Sequence, residues 1–159
     1  MQAQDLKGAN FCTASGVLTA AGAETVYDTT VIIDYCINGK ALTKAAVTDG
    51  VTPTTDGNTG AALVNLAVSQ GCALVWAVNA AGTVALYQGP VETLDSANAF
   101  VVAPAFPTYP DTACPFAYQI LKNSSAGSEV DIGTDNWNQT GFTNAIVNVF
   151  VMPNRPQES

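Results

Sequence analysis

The sequence predicts an all-β fold, an antiparallel β-sandwich or jelly roll with one short inserted helix. Eight or so short runs rich in β-branched and aromatic residues recur along the chain with turn residues between them. The two strongest runs meet at Asn38-Gly39, a dipeptide that tolerates the positive φ angles of a two-residue type I′ hairpin turn. A chain of 159 residues is also long enough for one core, burying roughly 70% of its unfolded surface without staples. The expected organisation is an N-terminal arm at 1–15, a β domain at 16–152 and a tail at 153–159.

Taken in order, residues 1–15 are small and mixed. Phe11 is their one bulky apolar anchor, so they read as an arm or edge segment able to cross to a neighbour. A short extended piece at 16–19 and a turn at 20–23 lead through 24–30 into the central hairpin, residues 31–47. The Asn38-Gly39 turn fixes its register: Ile37 faces Lys40, Tyr35 faces Leu42 and Asp34 faces Thr43. Val31, Ile33, Tyr35, Ile37, Leu42 and Ala46 then share one face with Lys40 and Lys44. Ile32, Cys36, Ala41 and Ala45 share the other with Asp34 and Thr43. An ordinary hairpin alternates apolar-in with polar-out, and neither face here is plainly polar. One face is expected on the domain's own core and the other on a neighbour, or else under a loop.

Residues 48–60, with their glycines, threonines and Pro53, have loop chemistry throughout. Over 61–70, Leu63, Leu66, Ala67 and Gln70 fall at helical spacing, with Thr59 as N-cap and Gly71 as stop, which predicts the inserted helix. A second hairpin joins 72–78 to 83–88 around Asn79-Ala-Ala-Gly82, whose end residues suit a type I turn, and puts Leu74, Trp76 and Val78 on one face. Residues 92–99 read as a turn and short strand, and 100–103 as extended. Four prolines and two aromatics at 104–115 exclude helix and central strand, leaving a core-wrapping loop or a contact surface bearing Tyr109. Strands at 116–122, 129–132 and 141–152 complete the count. Between the last two, a polar loop carries Trp137.

Composition narrows the function classes. Charged residues make up 11% of the chain and the net charge is −8, with five basic residues in all; about 25% charged is usual. So uncharged polar side chains finish the surface, as is common in exported, virion and strongly associating proteins. Phosphate contacts need clustered lysine or arginine, so nucleic acid is not an expected partner, and an anionic membrane surface fails for the same reason. Residues 1–10 lack the pattern of a signal peptide, so synthesis in the cytoplasm is expected, and the asparagines at 123 and 138 match the glycosylation pattern by coincidence. Cys12, Cys36, Cys72 and Cys114 are widely spaced; their even count permits two disulfides, but apolar strand contexts favour free structural thiols.

Chemistry is sparse. The chain has no histidine, so Ser-His-Asp and Cys-His constellations cannot be built. Asp34, Glu129, Asp131 and Asp135 are the carboxylates placed for glycoside hydrolysis, though thirteen acids make some close pair expected by chance. Asp49, Asp56 and Asn58 crowd one loop as weak metal candidates without the spacing of a calcium-binding loop; solvated loop acids are the plainer reading. No cofactor is implied. Trp137, among polar neighbours, could be a sugar-stacking platform or a contact anchor.

Residues 31–40, the loop at 49–56, Pro110-Asp-Thr-Ala-Cys-Pro-Phe-Ala-Tyr118 and Asn154-Arg-Pro-Gln157 together give the chain a pattern that resembles small structural proteins of tailed-bacteriophage heads, the capsid decoration or cement proteins. The resemblance covers residues 9–157 as overall pattern and includes no motif with an assigned role. It implies a homotrimer, made in the host cytoplasm, that binds the major capsid protein on the outer face of the virion and stabilises the lattice. The residues expected at interfaces are Phe11, Ala41, Ala45, Tyr109 and Trp137. Rival readings are a carbohydrate-binding head or tail-fibre module, using Trp137 and Tyr109, and a carboxylate glycosidase.

Overall fold

The structure, a computed structural model, describes residues 10–20 and 22–157. These form eleven strands and no helix: β1 (Phe11–Ser15), β2 (Leu18–Thr19), β3 (Val26–Thr29), β4 (Ile33–Ile37), β5 (Lys40–Lys44), β6 (Val47–Val51), β7 (Gln70–Asn79), β8 (Val84–Gln88), β9 (Glu92–Thr93), β10 (Ala113–Asn123) and β11 (Phe142–Asn148). Three antiparallel sheets result, in the orders β1-β4-β5, β2-β3-β6 and β11-β10-β7-β8, with β9 also on β7.

The architecture centres on β7 and β10, which pair along nearly their whole length and are buried on both faces. On one face Cys72, Leu74, Trp76 and Val78 join Cys114, Phe116 and Leu121 against Ile33, Tyr35 and Ile37 of β4 and Tyr27 of β3. Each fully buried aliphatic or phenyl side chain contributes about 1.5–3 kcal/mol, so this inter-sheet layer dominates stability. On the other face Ala73, Val75, Ala77, Tyr118 and Ile120 lie beneath Phe100, Phe106, Tyr109 and Met152. The proline-rich crossing is therefore a core-wrapping loop, with the Phe106 ring edge-on to Tyr118 at 5.0 Å.

Several elements differ from expectation. The helix over 61–70 is absent because its amides are bonded elsewhere. Leu66 exchanges both backbone bonds with Val130 at 2.9 Å, while Leu63 N–H reaches Thr54 O and Val64 N–H the Gln88 side chain. Val64 and Val68, β-branched, offer little helical propensity to resist this. Val130 makes only that bridge, so no strand forms at 129–132. The first part of the 48–60 loop is instead β6, paired with β3. Pro115 lies inside β10, tolerated because the register slips between Pro115 and Ala117.

At the N-terminal end residues 11–15 take the edge-segment form, as the outer strand β1 with Cys12 buried; residues 1–9 lie outside the described residues. The C-terminal run folds back: Pro156 is buried and Gln157 N–H donates to the Tyr118 hydroxyl at 3.2 Å.

Candidate assembly surface

The β4–β5 hairpin turns at Asn38 (φ 51°) and Gly39 (φ 80°), the left-handed pair a type I′ turn requires. Its register is Ile37↔Lys40, Cys36↔Ala41, Tyr35↔Leu42, Asp34↔Thr43 and Ile33↔Lys44, as the sequence predicts. Strict alternation then sends Ile33, Tyr35 and Ile37 into the inter-sheet core, with Leu42 half-buried against it.

Among the described residues nothing covers the opposite face of this sheet. Phe11 of β1 stands beside Cys36 of β4, and both are half-buried, whereas Ala41 and Thr43 are exposed; Ala45, also exposed, lies just past the end of β5. Ile32, just before β4, is 45% exposed. Phe11, Thr13, Asp34, Cys36, Ala41 and Thr43 line a shallow depression of about 420 Å³. Its one carboxylate is engaged: Thr43 Oγ1 donates to Asp34 Oδ1 at 2.7 Å. The depression is thus floored by small side chains and walled by one phenyl ring. No part of 48–60 covers it, since that segment runs into β6 and on toward β8.

The two borders of the sheet are finished differently. Lys40 and Lys44 stand at either end of the free β5 edge, where lysine discourages strand addition. At the β1 edge, Cys12 N–H donates to Phe150 O at 2.8 Å. That contact sets two exposed apolar residues, Phe150 and Val151, beside β1. Their location was not readable from sequence, where 141–152 reads as one unbroken strand.

The other expected interface residues are not on this face. Trp137 is only 4% exposed, stacked on Phe142 with its indole N–H donating to Val26 O at 3.0 Å; it is a core residue, and no sugar can stack on it. Tyr109 is half-buried in the cover of the second core face, its ring 6.1 Å from that of Tyr87.

The acidic candidates serve local structure. Asp56 Oδ1 accepts from Asn58 N–H, Thr59 N–H and the Thr59 hydroxyl, and Oδ2 from Gln88 N–H. Burial pushes this carboxyl up, but the amides of Gln88, Thr59 and Asn58 outweigh it and hold the group below its ordinary value. Asn58 donates to Thr108, tying the loop to the proline crossing. Asp49 sits in β6 with its N–H on Asp28. Asp131 N–H donates to Asp135 Oδ2, closing a turn, and Glu129 accepts from Asn65. Among the described residues no three histidine, cysteine, aspartate or glutamate side chains gather as metal ligands. A larger groove of about 670 Å³ runs between the Asp56–Asn58 turn, Gln88 and Phe106. Its carboxylate is the same Asp56, already engaged by its own loop and by the Gln88 amide of β8.

Comparison with protein-family models, with curated proteins and with solved structures finds no match to this chain.

Proposed function

We propose that this chain is a non-enzymatic structural protein that self-associates through the open face of the β1-β4-β5 sheet. Following the resemblance in its sequence, we place it as a decoration protein on the outer face of a virion capsid, a homotrimer bound to the major capsid protein. The observation that carries the assembly reading is a sheet whose inner face is committed to its own core while the outer face presents Phe11, Cys36 and Ala41, with Ala45 exposed just past the end of β5. Apolar area of this kind gains about 25 cal/mol per Å² when covered. The facing of two small sheets on the large one supports a β-sandwich as the form of the fold.

Sedimentation of the wild type and of the Ala41→Glu/Ala45→Glu variant tests the surface. The expected result is a wild-type trimer and a folded monomeric variant with unchanged circular dichroism. A wild-type chain that sediments as a folded monomer at micromolar concentration overturns self-association. Mass spectrometry of purified particles tests the location: copy number is expected to match the capsid lattice, and absence from particles overturns the virion assignment.

A further inference from the structure

Cys12 and Cys114 are 102 positions apart in sequence and belong to different sheets, yet their sulfurs lie 3.6 Å apart. Cys12 enters from β1, next to Tyr35 across the β1–β4 ladder, and Cys114 from the first turn of the pleat in β10, opposite Val78. Both are buried, 2% and 0% exposed, and the Cys12 sulfur also lies 3.3 Å from Pro115 O. All four cysteines are free thiols. The other two have no such neighbour: Cys36 sits on the open outer face, and Cys72 lies 3.7 Å from the Gln88 amide nitrogen.

We propose that Cys12 and Cys114 form an oxidative modification site, a buried dithiol that hydrogen peroxide converts into a disulfide joining β1 to β10. A disulfide bond is about 2.05 Å long, so side-chain rotation has to bring the sulfurs together by roughly 1.5 Å. Either sulfur can donate to the other across this contact, so either can attack first and the steps are the same with the two exchanged. With Cys114 first, its thiolate attacks one oxygen of hydrogen peroxide, an S–O bond forms as the O–O bond breaks, and the departing hydroxide leaves as water with the proton that Cys114 gave up. Cys12 sulfur then displaces hydroxide from the Cys114 sulfenic acid. The S–O bond breaks, the S–S bond forms, and the Cys12 proton leaves in a second water. Two thiols and one peroxide become one disulfide and two waters; the sulfurs lose the two electrons that the peroxide oxygens gain.

Such a bond closes a long loop between the first strand and the central one, the case in which a crosslink restricts the unfolded chain most. The site stands independently of the assembly reading. Its test uses the full chain, reduced and then treated with hydrogen peroxide, denatured, alkylated and mapped by mass spectrometry. The expected products are an intact mass lower by two hydrogens, a Cys12–Cys114 linked peptide, and Cys72 still open to alkylation. The melting temperature is expected to rise on the order of 10 °C and to fall back with dithiothreitol. Cys114→Ser abolishes link and rise, and Cys12→Ser serves the same purpose if the first variant does not fold. Cys12 and Cys114 still alkylated after Cys36 has been oxidised, a link mapped to another pair, or a mapped link that lowers the melting temperature would each overturn the proposal.

Discussion

Trp76 is fully buried on the inner face of β7, and its indole N–H donates to Gln119 Oε1 at 2.6 Å. Gln119 is equally buried, and its amide nitrogen has no partner among the described residues. This half-satisfied pair, with Tyr27 tilted against the indole at 5.0 Å, makes a sharp double-mutant cycle. Trp76→Phe removes the donor and strands the whole amide of Gln119, costing about 1–3 kcal/mol for the lost bond and about 1–2 kcal/mol more for lost volume, roughly 2–5 kcal/mol in all. Gln119→Met nearly conserves length and volume. It orphans the indole N–H but removes an amide nitrogen that was already unpaired, so the two effects offset to within about 1 kcal/mol. The double variant has neither orphan and is expected to lose only the volume term, giving a coupling of about 2 kcal/mol. Urea unfolding followed by far-ultraviolet circular dichroism reads all four proteins without relying on the tryptophan itself. If Gln119→Met costs as much as Trp76→Phe, or the coupling falls within about 0.5 kcal/mol of zero, the reasoning about the unpaired amide is refuted.

Three further outcomes are expected. Asp56→Ala removes four hydrogen bonds from a partly exposed turn and is expected to cost about 1–2 kcal/mol in urea unfolding at neutral pH. Because the folded carboxyl is held below its unfolded value, that difference is fully present above about pH 4 and disappears as pH falls through the folded pKa, so unfolding curves of wild type and variant converge in acid. Gly89→Ala would place a Cβ 2.3 Å from Ala105 O and 3.1 Å from Ala73 O, trapped between β7 and the proline crossing; a loss of about 2 kcal/mol or more is expected, and an unchanged melting temperature would show that the crossing yields. Leu42→Glu puts a charge against the inter-sheet core and is expected to erase the β signal in circular dichroism.

Where the sequence was legible, local chemistry decided the outcome. Asn38-Gly39 sets a turn from two residues, and the pleat then assigns every side chain of β4 and β5 to a face. The alternation through Leu74, Trp76 and Val78 is legible for the same reason. The helix over 61–70 failed because Leu63 and Leu66 satisfy a helical spacing and an irregular one equally, and the decision rests with Val130, Gln88 and Thr54, each distant or unremarkable in sequence. Trp137 misled because its neighbours along the chain are polar, while its neighbours in space, Phe142 and the carbonyl of Val26, arrive from other strands. Of the interface candidates, Ala41 and Ala45 come from the hairpin register and Phe11 from being the one bulky apolar residue of the first fifteen; Phe150, Val151 and the Cys12–Cys114 approach depend on which segments meet across sheets, and no spacing in the chain announces that.

The second face of the large sheet is closed by a segment that forms no strand from Val101 to Thr112. It is held down by side chains: Phe106 on Tyr118, Tyr109 on Tyr87, Asn58 on Thr108. A cover without a ladder lifts in a step of its own, at lower free energy than separating β7 from β10, and its amides exchange with solvent ahead of theirs. Lifting bares Ala73, Val75, Ala77 and Ile120, a flat, uncharged, strand-forming stripe of the kind that seeds fibrils. Pro104, Pro107 and Pro110 act on that event, because a chain with few backbone states to lose lies back down at small entropic cost. The prolines that make the crossing look like a mere connector thus shorten the time for which the stripe is bare.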